Sequence, residues 1–305
     1  MGFVCMTWGK EGSGKTTFGL TFPKPLYHFD LDVGGFERAN WRLPEGTRLL
    51  QLNAHDSLQE VRWADYDIVS KPYLSPVQLD KLLGAERITD PVSKKLTVRF
   101  PREVSGYREL WQEIIVDYVE VCKQSLVQSV MIDSATQIWN ICHNALLQDK
   151  QEIQKANGIK PESPLFREKL LPVEFPNDKM RTLIYNARNF GKNLVLTHYP
   201  KDDYKDVMGA NGKESVKSGT QSPDGFKDTM KLIDVGVWCY TEVNTNRLLA
   251  DKSANPAYGK TFPFAKIDLK CGLSGLGMQA VGTVLPEPSY DSIIMIQKIA
   301  KGEEF

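Results

Sequence analysis

The stretch Gly9-Lys10-Glu11-Gly12-Ser13-Gly14-Lys15-Thr16, with Thr17 behind it, sets three glycines, a lysine and a hydroxyl in the pattern G-x-x-x-x-G-K-[ST]. Glycines at that spacing let the backbone curl until successive N–H groups point inward, an arrangement that holds anionic oxygens. The curl then opens a helix whose N-terminal dipole favours the same negative charge. Phe3-Val4-Cys5-Met6-Thr7-Trp8 precedes it as a short apolar run, suited to a buried parallel strand. Residues Thr16 to Thr21 can start a helix that Pro23 and Pro25 close off. Strand, loop and helix together predict a nucleotide-binding P-loop. In it Gly9, Gly12, Ser13, Gly14, Lys15, Thr16 and Thr17 bind ATP, Lys15 reaches the terminal phosphates, and Thr16 ligates Mg²⁺.

The bulk properties narrow the classes. The chain has 305 residues, of which 25% are charged and 41% hydrophobic, with 38 basic residues against 38 acidic ones. That balance provides no overall basic field, so contact with nucleic acid would have to come from a local patch. No apolar stretch approaches the length of a membrane span. Met1-Gly2 does not continue as a myristoylation signal, because position 6 is Met. Neither is there a charged leader with a cleavage site, so a cytoplasmic protein is expected. The five cysteines and four histidines are scattered, which supports neither a zinc site nor a disulfide framework.

Along the chain, strand-like and helix-like segments alternate. Leu26 to Asp32 and Arg48 to Leu52 read as strands, Tyr107 to Gln124 as an amphipathic helix, and Ser129 to Ser134 as a buried strand. Helices are expected over Thr136 to Lys155 and Asp178 to Phe190, with a Pro/Gly-rich loop between them. Asn193 to His198 reads as another strand, and further strands are expected over Val235 to Glu242 and Phe264 to Lys270. Residues 56–105 are irregular and read as an insertion or an edge hairpin. Residues 199–231, polar and poor in large aliphatics, are expected to form a mobile loop. The pattern predicts one α/β domain over residues 1–305, with a central, mostly parallel sheet flanked by helices.

Hydrolysis asks for more than a phosphate cradle. Asp133 ends the apolar run Val130-Met131-Ile132 and is placed to hold Mg²⁺ through its water shell. The alternative is that this acid caps the following helix, a role Ser134 and Thr136 also suit. For orienting the attacking water, Asp32 is the first candidate, with Asp30 close behind and on the same face by strand alternation. The bland reading of either is a solvated loop acid. Glu11, inside the loop, is a third candidate acid. His198 ends an apolar strand and could sense the terminal phosphate or be a satisfied loop histidine.

Taken together, these residues resemble the RecA-like ATPases. Gly9 to Thr17 is similar to that family's G-x-E-x-S-G-K-T-T loop, and Phe29-Asp30-Leu31-Asp32 looks like its strand ending in the acid that polarises water, with Asp in place of Glu. Val130 to Ser134 matches the metal-side strand ending in Asp-Ser, and His198 falls where the family has a polar switch residue. Residues 199–231 sit where such proteins carry a DNA-binding loop. Ala265 to Cys271 resembles the strand that presents lysines to a neighbouring subunit's nucleotide, which implies that role for Lys266 and Lys270. The family's N-terminal polymerisation segment is missing. The trimmed form looks most like core-only RecA-like ATPases of bacteriophages and prophages, associated with single-strand annealing and recombination. The resemblance therefore implies ATP hydrolysis with Mg²⁺, action on single-stranded DNA, and a homo-oligomeric ring or filament in a bacterial or phage-infected cytoplasm.

Residue chemistry alone argues more weakly for DNA. Segment 201–231 holds six lysines and six acids, so its phosphate-binding footprint is thin. Tyr199, Tyr204 and Phe226 could stack on bases. Two alternatives stand beside this reading. One is a nucleotide-gated assembly ATPase without DNA binding. The other, a small-molecule kinase, is disfavoured because no arginine occurs from Asn189 through Asn246 to clamp a moving phosphoryl group.

Overall fold

In the computed structural model, the described residues are 2–32, 34–40, 42–74, 86–89, 96–99, 103–160, 174–209, 212–226, 228–247, 249, 253–268 and 280–302. The chain builds a nine-stranded sheet around the strand that feeds the P-loop. β1 (Val4–Trp8) has β8 (Asn193–His198) on one side and β11 (Val235–Val243) on the other. Beyond β8 come β7 (Ser129–Asp133), β2 (Leu26–Asp30), β4 (Ile68–Pro72) and β3 (Leu49–Gln51), all parallel to their neighbours. Beyond β11, β12 (Thr261–Asp268) and β13 (Val284–Pro286) run antiparallel. The expected α/β fold with a central, mostly parallel sheet therefore forms.

Burial explains why the central strands carry no polar alternation. All five residues of β1, β2 and β7 are buried, because helices cover both faces of the sheet. On one face pack α3 (Tyr107–Lys123), α4 (Ala135–Ala156) and α5 (Glu174–Asn189), burying Ile114, Tyr118, Ile138 and Ile184 against Val130, Ile132, Leu194 and Leu196. The other face takes α1 (Lys15–Gly19), α2 (Gly35–Asn40) and α7 (Tyr290–Lys301). There Phe18, Phe36 and Ile293 meet Cys5, Met131, Val195 and Val237. In α3 the 4-4-3 spacing of Leu110, Ile114, Tyr118 and Val121 keeps all four side chains on the sheet side. Ser289 and Ser292 form a reciprocal capping box at the start of α7, and Gly302 ends that helix in the left-handed conformation.

Two stretches depart from expectation. Residues 56–105 are not a pure insertion: Ile68–Pro72 enters the main sheet as β4, buried against β2. Its alternation was hidden because both faces are covered. In the same region β5 (Glu86–Thr89) and β6 (Leu96–Arg99) pair antiparallel in a two-stranded sheet of their own, not at an edge of the main sheet. Likewise, the loop expected over 199–231 is a hydrogen-bonded hairpin of β9 (Pro200–Gly209) and β10 (Gly212–Pro223), followed by the short helix α6 (Thr229–Leu232). A two-stranded ribbon has no core to face, so its strands need not show hydrophobic alternation, and a polar sequence conceals them.

The α3 face supplies a direct test of the packing. Ile114 is fully buried, so Ile114→Ala should cost about 2–5 kcal/mol through lost transfer energy plus a residual cavity. Urea unfolding should show the midpoint falling with an unchanged slope. A midpoint equal to the parent's would contradict this packing.

Candidate functional site

The loop between β1 and α1 is pinned from below. A Cβ built on Gly9 would lie 2.2 Å from the Cys239 carbonyl oxygen, so only glycine lets the loop pass that close to β11. Gly14 takes φ +90°, a left-handed conformation that turns the chain into the helix beginning at Lys15. Lys15 is buried, and its Nζ donates to the carbonyls of Gly9 (3.0 Å) and Lys10 (2.8 Å). Burial lowers its pKa, while Asp133, Cys239, Asp32 and Glu11 pull the other way. The Ser13 hydroxyl is buried with no partner among the described residues, as expected of a group that meets a ligand oxygen.

Asp133 joins the loop to the sheet. It stands at the C-terminal end of β7, fully buried, and accepts a hydrogen bond from Thr16 Oγ1 at 2.6 Å on one oxygen and from Thr197 Oγ1 on the other. His28 Nε2 lies 3.6 Å away. Burial alone would raise this carboxyl's pKa. The His28 ring and the two hydroxyls outweigh it and hold Asp133 below the ordinary value. The helix-cap alternative falls to Ser134, whose side chain accepts from Gln137 N at the start of α4. Asp133 is thus left for the cavity. Mg²⁺ is usually held by one or two protein oxygens, with phosphate oxygens and waters completing the shell. Thr16 and Asp133, oxygen donors in contact, fit that requirement.

Of the two acids near the end of β2, Asp32 lines the cavity and Asp30 lies beneath it. The strand ends at Asp30, which is buried, accepts from the Asp32 N–H at 3.3 Å, and is pushed up to about 6 by burial, with His28 opposing. Asp32 turns outward, and a Cβ on Gly35 would touch both its carboxylate and that of Asp133 at 3.7 Å. The cavity, about 190 Å³, is walled by the P-loop on one side and by Asp32, α2 and Tyr199 on the other. Tyr199 donates its hydroxyl to Asp32 and sets its ring 5.0 Å from Lys15 Nζ. Glu11 is on the P-loop wall, largely exposed and paired with Arg38 of the opposite wall at 3.4 Å. Converging donors, an oxygen pair for a metal and a carboxylate across the gap are the parts needed for displacement at phosphorus.

Two expected residues lie elsewhere, and a third is outside the described residues. His198 does not face the cavity: alternation along β8 sends Thr197 to the P-loop side and the imidazole to the other face. There His198 Nδ1 meets the Asp224 carbonyl at 2.7 Å. The residue of β8 that faces the P-loop side is thus Thr197, one position earlier, as the strand's period of two counted from buried Val195 indicates. Lys266 is on the face of β12 opposite Ala265 and Ile267, which pack with α1, so it points away from its own chain's loop. Lys270 lies outside the described residues. Sequence reasoning missed Thr197, His28 and Arg38 as neighbours of the site. It noted Tyr199 only as an aromatic that could stack on a base.

Burial pushes the His198 pKa down from its ordinary 6.5 to about 4. Above about pH 6.5 folded and unfolded states are both neutral here and this residue's contribution is complete. As pH falls toward 4 the unfolded chain takes up a proton that the folded one refuses, so stability falls. Unfolding free energies at pH 7 and pH 4.5 should therefore differ more for the parent than for His198→Gln. Equal differences would show that His198 titrates normally.

The chain matches the model of an AAA domain over residues 1–237. No curated protein matches it. Among solved structures it matches a KaiC-like protein from the hyperthermophilic archaeon Pyrococcus horikoshii OT3. That match has 13% identity, covers 86% of this chain and 85% of the other, and has a TM-score of 0.29. With the family model covering most of its length, the chain belongs to the AAA domain family of P-loop ATPases.

Proposed function

We propose that this chain binds Mg·ATP and hydrolyses it, and that turnover is coupled to single-stranded DNA and to assembly into a ring or filament of the core-only RecA-like kind. The observation that carries hydrolysis is the placement of Asp32 across a cavity from Lys15, with Thr16 and Asp133 in contact at its base. Lys15 exchanges its bonds to the Gly9 and Lys10 carbonyls for phosphate oxygens. Thr16 and Asp133 would hold Mg²⁺, which when bound offsets the charge of the β- and γ-phosphates. Asp32 orients the water. Its oxygen bonds to the γ-phosphorus, the bond to the bridging oxygen breaks with its electron pair leaving on ADP, and the water's proton passes to the carboxylate.

Support for the partner is less direct. The hairpin β9–β10 grows straight from Tyr199, the residue that touches both Lys15 and Asp32, and Asp224 N–H closes its base on the Tyr199 carbonyl at 2.7 Å. Whatever engages the hairpin therefore has a short mechanical route to the carboxylate. Tyr204, 61% exposed on the hairpin, offers a ring for a base. Against this, Lys217 and Lys201 pair with Asp202 and Asp224, which reduces the charge available to a phosphate backbone. Lys266, facing away from its own loop, supports a role toward a second copy.

Lys15→Ala should abolish binding of a fluorescent ATP analogue. Asp32→Asn should keep that binding and lower kcat by about 10²–10⁴-fold. Hydrolysis unchanged in Asp32→Asn would remove Asp32 from the mechanism. ATPase rates measured with and without single-stranded DNA at two salt concentrations test the partner. Stimulation that weakens with salt is expected, and its absence would leave a nucleotide-gated assembly protein instead.

A further inference from the structure

Two carboxylates line the cavity, Asp32 and Glu11, with Asp133 behind Thr16, while the P-loop contributes one lining cation, Lys15, whose Nζ is already spent on backbone carbonyls. Hydrolysis places further negative charge on the phosphate oxygens as they transfer, and a catalyst of this type needs a cation that meets them at that moment. The hairpin cannot supply a guanidinium, since no arginine occurs from Asn189 through Asn246. Among the described residues lining the cavity, the arginines are Arg38 and Arg42, both carried on α2 or just after it.

Arg38 is the better placed. Its Nη1 lies 3.7 Å from where a Cβ on Gly34 would stand, over the turn that follows Asp32, and its Nη2 reaches Glu11 Oε1 at 3.4 Å. The guanidinium thus spans the mouth of the cavity from the water-orienting side to the P-loop side. Its contact with Glu11 is between two side chains that are 56% and 71% exposed. Such a pair is weak and screened by salt, and a phosphate offers the planar fork a bidentate partner of higher charge.

We propose that Arg38 is a catalytic residue of the hydrolysis argued above, an arginine supplied by the same chain that leaves Glu11 and grips the γ-phosphate during transfer. The proposal rests on the ATPase reading. Arg38 neither gains nor loses a proton; it balances charge while water attacks and ADP departs. Glu11 is its holder before the phosphate is gripped, so the residue inside the loop serves to park the arginine rather than to activate water.

The test compares parent, Arg38→Ala, Arg38→Lys and Glu11→Gln for ATP hydrolysis at saturating Mg·ATP and for affinity toward a fluorescent ATP analogue. Arg38→Ala should lose on the order of 10²–10³-fold in kcat with affinity changed by no more than about threefold. Arg38→Lys should recover little of the loss, because a point charge cannot make the bidentate contact. Added guanidinium ion, at concentrations too low to unfold the protein, should partly restore Arg38→Ala alone. Glu11→Gln, which removes the holding contact but keeps the guanidinium, should lose far less in kcat than Arg38→Ala, and a loss as large would overturn the assignment. Parental kcat in Arg38→Ala, or a loss confined to affinity, would overturn the assignment while leaving the ATPase reading intact. An absence of ATP turnover in the parent would overturn both.

Discussion

A carboxylate buried without compensation is costly, and Asp133 is fully buried at the end of a central strand. Its compensation comes from three different elements. Thr16 belongs to the P-loop helix, Thr197 to β8 and His28 to β2. Those contacts fix the helix over the carboxyl ends of β2, β7 and β8, and they set the oxygen of Thr16 against the oxygen of Asp133. The cavity takes its shape from that arrangement. Asp30, one strand over and also buried, is pushed up to about 6, whereas Asp133 is held low. Two acids paired across neighbouring strands thus titrate over different ranges, and the difference follows from what each one touches.

Tyr199 is the second constraint. It follows directly on β8 and immediately precedes the hairpin. Its backbone N–H donates to Thr136 Oγ1, its carbonyl accepts from Asp224, and its side chain ends on Asp32. A residue held at its backbone by the sheet edge and at its tip by the Asp32 carboxylate cannot move without moving both. The hairpin beyond it is paired on either side of an irregularity between Lys217 and Gln221, so the strand leaving Tyr199 is tied to its partner. The proposed link between nucleotide and partner therefore has a physical path through named atoms.

Much of this was legible in the sequence. Gly9 to Thr17 declared its chemistry, because the phosphate loop needs those residue types at that spacing. Asp133 was visible as an acid ending an apolar run, and the strands and long helices around it followed from burial on one or both faces. What stayed hidden shares a cause. Strand β4 has both faces covered and so lost its period; the polar ribbon β9–β10 has no core and never had one. Histidine is the conspicuous residue at the end of β8, but the alternation starting from Val195 turns Thr197, not His198, toward the P-loop side. Arg38 and Tyr199 reach the cavity by tertiary folding, and spacing along the chain does not encode that.

The central claim is that Thr16 and Asp133 form the metal side of a nucleotide site whose phosphate side is the P-loop. Calorimetric titration of the protein with ATP, in the presence and absence of Mg²⁺, tests it most directly. For the parent, affinity should rise about tenfold or more when Mg²⁺ is supplied, since the ion then bridges phosphate to these oxygens. That gain should vanish in Asp133→Asn while metal-free binding persists. An Asp133→Asn protein that keeps the full Mg²⁺ gain would place the metal elsewhere and contradict the account.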